Sequence, residues 1–161
     1  MKRGLTLLFH GVCFLLLMSM SSCLQIDLYE KNTPIPNYAW KQDFEVKGSF
    51  EIKDIASANN LFIILRHTDK YTYNNIWLNL GIQNPGDSMY FQKINIELGN
   101  DATGWYGSGM NDIWEYRYKL TPIAKPFIKK GIYNFSIKQI MRDDPLPNVM
   151  SAGFRIEKAV N

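Results

Sequence analysis

Apolar and polar residues alternate with a period of two through most of this chain, and this pattern constrains the fold more than any other feature. In residues 44–52 the apolar positions are Phe44, Val46, Phe50 and Ile52, with charged residues between them. Residues 76–80 and 113–120 alternate in the same way, whereas residues 61–65 are continuously apolar, as in a central strand. Helical spacing is hard to find, so the sequence predicts an all-β protein.

Turn and loop residues separate these segments. Asn84-Pro85-Gly86-Asp87 is a strong turn sequence, and Gly48 predicts a bulge inside its strand. We expect a short strand at residues 24–29 that is broken by Pro34 and Pro36, a glycine-rich loop at 99–110, a proline-containing loop at 142–148 and a last strand at 152–156. Eight or nine strands without intervening helices predict an antiparallel β-sandwich, jelly-roll-like, in a single domain over residues 23–161.

The first 22 residues read as an export sequence that ends before a cysteine. Lys2 and Arg3 precede an apolar run over residues 5–18, and small residues then lead to Cys23. This order resembles a bacterial lipobox, although Met20 stands where Leu or Val is usual. We therefore predict a lipoprotein signal peptide at residues 1–22 and acylation of Cys23, which would attach the domain to a membrane through its acyl chains. An ordinary signal peptide is the alternative, and a spanning helix is disfavoured by the shortness of the run.

Composition removes several classes of function. The chain has 18 basic and 15 acidic side chains, and two of the basic ones lie in the leader, so the remainder is almost neutral and gives no reason to expect a nucleic-acid partner. Cys13 leaves with the leader and Cys23 becomes a thioether, so no cysteine nucleophile remains. His67 is the only histidine after residue 22, which excludes a two-histidine metal site. We predict no metal, no cofactor and no enzyme activity.

Three polar stretches are candidates for binding: residues 66–77, 99–112 and 142–150. Each joins predicted strands and combines polar with aromatic side chains, the composition of loops that carry function. From them we predict a partner-binding surface made of Arg66, His67, Asp69, Tyr73, Asn74, Asn75, Trp105, Asp112, Arg142 and Asp144.

Other interpretations of these stretches stay open. Three interpretations are purely structural. In these, the Asp and Asn side chains accept hydrogen bonds from backbone N–H groups, Trp105 and Tyr106 close the end of the sandwich, and Arg142 forms an ion pair with an aspartate. Exposed rings such as Trp40, Trp105 and Tyr106 would suit a carbohydrate-binding module. A glycan hydrolase would need facing carboxylates, for which Asp112, Asp143 and Glu115 are the candidates. The oxygen ligands at 100, 101, 111 and 112 match no EF-hand spacing.

Several strings together resemble the GldH family of Bacteroidetes gliding-motility lipoproteins. They are Ile35-Pro36-Asn37 with Trp40, Arg66-His67-Thr68-Asp69 with Tyr73-Asn74-Asn75-Ile76-Trp77, Gly104-Trp105 through Gly107-Ser108-Gly109-Met110 with Asp112-Ile113, and Gln139-Ile140-Met141-Arg142 with Asp144-Pro145-Leu146-Pro147. The resemblance covers essentially all of residues 23–161.

The resemblance implies a cell-envelope lipoprotein that is needed for gliding, is linked to type IX secretion and has no enzyme activity. Its partners would be other envelope proteins of gliding and secretion, and the only residue role it carries over is that of the acylated Cys23. Lipoproteins that reach the cell surface in these bacteria often have an acidic cluster after the cysteine, whereas residues 24–28 contain a single carboxylate. We therefore expect the periplasmic face of the outer membrane.

Overall fold

The computed structural model describes residues 28–159 as a structure built almost entirely of antiparallel strands. The strands in chain order are β1 (Leu28–Pro34), β2 (Ala39–Trp40), β3 (Val46–Ile52), β4 (Ala58–Thr68), β5 (Asn75–Gln83), β6 (Tyr90–Glu97), β7 (Gly99–Asn100), β8 (Gly104–Trp105), β9 (Ser108–Met110), β10 (Ile113–Lys119), β11 (Lys125–Pro126), β12 (Gly131–Gln139), β13 (Leu146–Pro147) and β14 (Val149–Lys158). A 3-10 turn at Pro36–Tyr38 separates the first two strands. Within the described part of the chain, no helix is long and apolar enough to cross a membrane.

Two sheets carry the architecture. The larger has the order β1-β14-β4-β10-β9, with β11 pairing beside β4, and the smaller has the order β3-β12-β5-β6. Two short ladders, β2 with β13 and β7 with β8, lie outside these sheets. Eight strands are seven residues or longer, so the predicted antiparallel β-sandwich is confirmed.

Aromatic side chains fill the space between the sheets. The Phe135 ring on β12 lies 4.9 Å from the Phe154 ring on β14, and the Tyr29 ring on β1 lies 5.4 Å from the Phe50 ring on β3. The predicted alternation places Ile76, Leu78 and Leu80 on the buried face of β5, and Ile63 to Leu65 are buried in the central strand β4. Burial of these side chains is the main stabilising contribution to the fold.

The sandwich has two distinct ends. At the end that we call the His67 end, β4 ends, β5 begins and β10 begins. At the opposite end, which we call the Leu28 end, β1 begins beside the last residues of β14, because Leu28 pairs with Glu157. The loop over residues 53–57 and the segment over residues 120–130 also lie at the Leu28 end, because they join strands there.

Strand β1 differs from the prediction for the start of the domain. It continues through residues 32 and 33 to Pro34, where the sequence predicted a break, while residues 24–27 lie outside the described part. Strand β1 is at the edge of its sheet and pairs only with β14. Proline has no N–H to donate, and it is tolerated at the end of an edge strand because few ladder hydrogen bonds are needed there.

The predicted bulge at Gly48 was wrong. The register between β3 and β12 is continuous through Gly48, which pairs with Phe135. A Cβ atom at position 48 would lie 2.6 Å from the Phe135 ring, so the glycine is there to let that ring pack against the backbone.

The loops over residues 99–110 and 142–148 are also more regular than predicted. The first contains β7, β8 and β9, and β9 extends the larger sheet by pairing with β10. The second contains β13, whose Leu146 is fully buried. The predicted turn at residues 84–87 is confirmed, since the Asp87 N–H donates to the Asn84 carbonyl and Gly86 has a φ of 79°.

Candidate functional site

The three polar stretches meet at the His67 end. His67 lies at the end of β4 and packs against Trp105 of β8, with 4.6 Å between the ring centroids, and against Tyr71, at 5.4 Å. Backbone hydrogen bonds join the same segments: the Thr68 N–H donates to the Asn148 carbonyl at 3.0 Å, and the Asn148 side-chain amide donates to the Lys70 carbonyl, also at 3.0 Å. Residues far apart in sequence therefore form one cluster.

His67 is neutral in this cluster. Its side chain is 1% exposed, and burial lowers its pKa below the ordinary value, an effect that the neighbouring Thr68 carbonyl only partly opposes. Nδ1 lies 2.9 Å from that carbonyl oxygen, which can only accept, so Nδ1 carries the hydrogen. Nε2 has no hydrogen-bond partner among the described residues. The ring therefore shapes the surface by holding Trp105 and cannot itself touch a large partner.

Tyr73 connects this cluster to the third stretch. Its hydroxyl donates to Asp143 Oδ2 at 2.8 Å, and this hydrogen bond raises the pKa of Tyr73 above its ordinary value. The buried Gln139 amide supports the same loop by donating to the Asp143 and Trp40 carbonyls, each at 3.0 Å. Asp143 is thus bonded to Tyr73 instead of to Arg142, and Arg142 makes no ion pair with any described residue.

A groove opens beside this cluster on the outer face of the smaller sheet. We call it the Trp77 groove; its volume is about 590 Å³, and it is lined by Tyr73, Asn75, Trp77, Lys93, Ile140, Met141 and Arg142. Trp77 is 42% exposed and alternates with the buried Ile76 and Leu78 along β5. Its backbone is fixed on both sides, because the Ile140 N–H donates to its carbonyl at 2.9 Å and its own N–H faces the Met141 sulfur at 3.2 Å.

The groove combines an aromatic surface with positive charge. Lys93 and Arg142 line it, and no carboxylate does. The Asn75 side-chain amide donates to Asn95 Oδ1 at 2.7 Å, so one wall also presents amide groups. An indole face bordered by two cations and by amides can bind a partner through stacking, hydrogen bonds and attraction to negative charge.

Arg66 lies elsewhere, on the outer face of the larger sheet. It pairs with Glu115 at 2.6 Å, and Arg117 contacts the same carboxylate at 3.1 Å. Partial burial raises the pKa of Glu115, but the hydrogen bonds and charges of the two arginines together outweigh it and hold the pKa below its ordinary value. The predicted surface is therefore divided between two faces of the sandwich.

The other predicted residues fix the backbone at the His67 end. The Asp69 N–H donates to the Asp112 carbonyl at 2.7 Å, and the Asn74 carbonyl accepts from the N–H groups of Leu98 and Gly99. Asp144 Oδ1 accepts from the Gln42 N–H at 3.0 Å. Except in Asp144, these contacts use backbone atoms, so the side chains of Asp69, Asn74 and Asp112 stay exposed.

Sequence reasoning missed Trp77 and Lys93 as site residues. Trp77 lies in the first polar stretch, and its alternation with Ile76 and Leu78 is the signal that its side chain points outward. Lys93 is in β6, outside all three stretches, and reaches the groove because β6 pairs with β5, Asn79 standing opposite Lys93. No local pattern marks it.

The candidate catalytic carboxylates lie in different parts of the domain, and one of the candidate sugar-stacking rings is buried. Asp143 bonds to Tyr73, Glu115 pairs with two arginines on the other sheet, and Asp112 lies exposed in the turn before β10. Trp40 is fully buried and donates its indole N–H to the Phe44 carbonyl, so it cannot stack on a sugar. Among residues 28–159 no group of three or more His, Cys, Asp or Glu side chains is placed to hold a metal ion.

Fold and site together define a small antiparallel β-sandwich domain that carries an aromatic, cationic groove at one end. Two similar proteins are the gliding motility lipoprotein GldH of Flavobacterium johnsoniae, 26% identical over 92% of this chain and 95% of that protein, and a GldH homolog of Christiangramia forsetii, 28% identical over 88% and 90%. The GldH lipoprotein family model matches residues 27–156, so the chain belongs to the GldH lipoprotein family. The resemblance inferred from the motifs is thereby confirmed.

Solved structures overlap with the chain only loosely. The VP2 subviral particle of infectious bursal disease virus aligns with 81% of this chain and 32% of its own at 12% identity, with a TM-score of 0.32. A second structure of the virus, from the Gt strain, gives 0.30 at 11% identity. These scores carry no argument about fold or function.

Proposed function

We propose that this protein is a lipid-anchored, non-catalytic component of the cell envelope that serves gliding motility and type IX secretion by binding other envelope proteins. In this proposal Cys23 carries the acyl chains, the domain lies on the periplasmic face of the outer membrane, and the Trp77 groove with the surrounding His67 end is the partner surface. Family membership and the names of the relatives support the lipoprotein and motility parts. The composition of residues 24–28 supports the choice of face.

The observation that carries the partner role is the exposed Trp77. Tryptophan and arginine are the residues that most often dominate protein interfaces, and here an exposed tryptophan lies in the same groove as Arg142. Trp77 is backed by a rigid sheet and bordered by Lys93 and Arg142. Little conformational entropy would be lost when a partner covers such a preorganised surface.

A non-catalytic role is supported by the condition of the ionisable groups. His67, the only histidine after the leader, is buried and neutral with its Nδ1 already donating. Asp143 and Glu115 are each occupied by a hydrogen-bond or ion-pair partner. A general acid or base needs a free group within reach of a substrate, and neither carboxylate is placed in that way.

Site-specific cross-linking in cells tests the partner surface. A photoreactive amino acid at Lys93 should form a protein adduct, and the change Trp77→Ala should reduce that adduct severalfold because it removes the stacking surface. The same photoreactive residue at Arg117, on the other sheet, serves as the matched control. Equal adducts from both positions, or no adduct from position 93, would contradict the proposal.

Carbohydrate binding is the second candidate, and Trp77 is the observation that favours it. An exposed indole ring beside amide groups suits the apolar face of a sugar, whereas Trp40 is fully buried and the partly buried Trp105 packs against His67. The cross-linked product separates the two functions. If the adduct yields peptides of a second protein, the partner is a protein, and if glycan cleavage removes the added mass, the partner is a polysaccharide.

A further inference from the structure

Four large apolar side chains are exposed at the Leu28 end. Ile123 and Ile128 are each 74% exposed, Ile132 is 61% exposed, and Ile55 is 40% exposed. They come from two separate parts of the chain, the 53–57 loop and the segment from β10 into β12, which the fold brings to one end. Single exposed apolar residues are ordinary, but several at one end indicate a surface that is covered in use.

Positive charge accompanies these isoleucines. Residues 119–130 contain four lysines, at positions 119, 125, 129 and 130, and no acidic residue. Lys129 pairs with Asp87 at 2.6 Å, whereas the other three make no ion pair with any described residue. Apolar side chains that alternate with unpaired lysines at a protein tip are the composition of surfaces that enter anionic membrane interfaces.

The fold holds this segment in place. The Phe127 ring packs 5.0 Å from the Tyr133 ring and 5.8 Å from the Phe50 ring, so its neighbour Ile128 is directed outward. The Tyr133 hydroxyl donates to the Lys129 carbonyl at 2.9 Å. Strand β11 is paired with β4 on the other side. The exposure of the isoleucines is therefore built into the domain and does not depend on a floppy loop.

The chain also reaches the Leu28 end from the direction of Cys23. Strand β1 begins at Leu28, and the five residues from 23 to 27 span at most about 18 Å even when fully extended. An acyl chain on Cys23 would therefore enter the bilayer close to the four isoleucines. No other end of the domain is within that reach, because β1 runs the length of the sandwich away from it.

We propose that the Leu28 end is a membrane-docking face that binds a bilayer surface with anionic headgroups. Ile123, Ile128, Ile132 and Ile55 enter the boundary between headgroups and acyl chains, while Lys119, Lys125 and Lys130 contact the phosphates. This inference rests on the proposed anchoring through Cys23 and adds a second attachment to it. The domain is then held in one orientation instead of swinging on a lipid tether.

A single labelled thiol tests this orientation. The only cysteines of the chain are Cys13, which leaves with the leader, and Cys23, which is acylated, so Ile123→Cys introduces the only free thiol. The acylated protein, labelled there with bimane, is reconstituted into vesicles of phosphatidylcholine with phosphatidylglycerol and brominated lipid. We expect quenching and a blue shift of the label. Thr103→Cys, at the His67 end, is the matched control and should stay unquenched.

Charge reversal tests the role of the lysines. The double change Lys125→Glu and Lys130→Glu should weaken docking about fivefold per lysine removed, and more for the reversed sign, so that quenching at position 123 falls. Lys41→Glu with Lys70→Glu, a matched reversal at the His67 end, should leave quenching unchanged. Equal quenching at positions 123 and 103, or quenching at 123 that charge reversal leaves intact, would overturn the proposal.

Flotation of the vesicles separates this inference from the anchor. If the protein floats with neutral and anionic vesicles but the label at position 123 is not quenched, the acyl anchor is present and the proposed docking face is contradicted. If the protein floats only with anionic vesicles and the label at position 123 is quenched, the acyl anchor is absent and the proposed docking face is supported.

Discussion

His67 shows how a residue that resembles a catalytic one can be structural. Its position between Trp105 and Tyr71 costs it the hydration that a charged imidazole needs, and its one hydrogen bond is to a neighbouring backbone carbonyl. The ring completes an aromatic cluster whose members come from two separate stretches. Its consequence for function is indirect, since it packs against Trp105 and Tyr71 at the His67 end.

The pH dependence of stability should report this burial. Because the pKa of His67 is lowered in the folded state, the unfolded chain binds a proton more readily, and the free energy of unfolding should fall as the pH drops below about 6.5. One proton corresponds to a slope of at most about 1.4 kcal/mol per pH unit. Urea unfolding between pH 5 and 8 measures it.

The variant His67→Phe provides the comparison. It keeps an aromatic ring in the cluster but cannot titrate, so its stability should be almost level between pH 5.5 and 7, even though it is lower at pH 8 through loss of the hydrogen bond to Thr68. His67 is the only histidine after residue 22, so no other histidine titrates in that window. The same slope in both proteins would show that the folded state does not lower the pKa of His67.

At the scale of elements, glycines set how closely the strands and their side chains pack. Gly48 on β3 faces the ring of Phe135, which is buried in the core, whereas Gly81 on β5 faces Met89 and Phe91, the second of which is half-exposed. A Cβ atom at position 81 would lie 2.7 Å from the Met89 sulfur. The two positions therefore present similar distances but different freedom to relax.

The pair Gly48→Ala and Gly81→Ala separates rigid from flexible contacts. We expect Gly48→Ala to lower the free energy of unfolding by about 1–3 kcal/mol, since the Phe135 ring must shift within the core. Gly81→Ala should cost clearly less because a thioether and an edge ring can turn away. Chemical unfolding of both variants measures this, and equal losses would mean that local space does not decide the cost.

The strands can be predicted from the sequence better than the contacts between them. Apolar runs and alternation identify β3, β4 and β5 because burial on one or both faces dictates them locally. The prediction of a bulge at Gly48 was wrong because the glycine makes room for the Phe135 ring on another strand, a contact that the local sequence does not reveal. The cluster of His67 with Trp105 and the place of Lys93 in the groove could not be predicted either, since each depends on pairing between segments far apart in sequence.

At the scale of the whole molecule, the proposed attachment and the proposed partner surface lie at opposite ends. The chain reaches β1 from Cys23 at the Leu28 end, while Trp77 and the three polar stretches lie toward the His67 end. Strand β4 alone has 11 residues, which corresponds to about 36 Å between the two ends. A protein held by Cys23 would therefore present the Trp77 groove well away from the bilayer.

The anchor itself can be tested with the two cysteines of the chain. Cys23→Ala should abolish incorporation of labelled fatty acid and leave the leader uncut, because the thiol that carries the acyl chain is missing. Cys13→Ala is the matched control, since position 13 lies in the predicted leader, and this variant should be acylated normally at Cys23. Fatty-acid labelling with gel mobility measures both, and normal acylation of the Cys23 variant would contradict the assignment.

The antiparallel pairing of β1 with β14 also determines how the domain would bear a mechanical load. A partner that pulls on the His67 end would draw the domain away from the membrane, while the anchor would hold β1 by its first residue. The hydrogen bonds between β1 and β14 lie perpendicular to that line, so seven residue pairs would be loaded together in shear instead of opening one after another. Arg155, which bridges Glu30 on β1 and Glu157 on β14, would share the force. Strand β1 would then act as a load-bearing link between the domain and its proposed anchor.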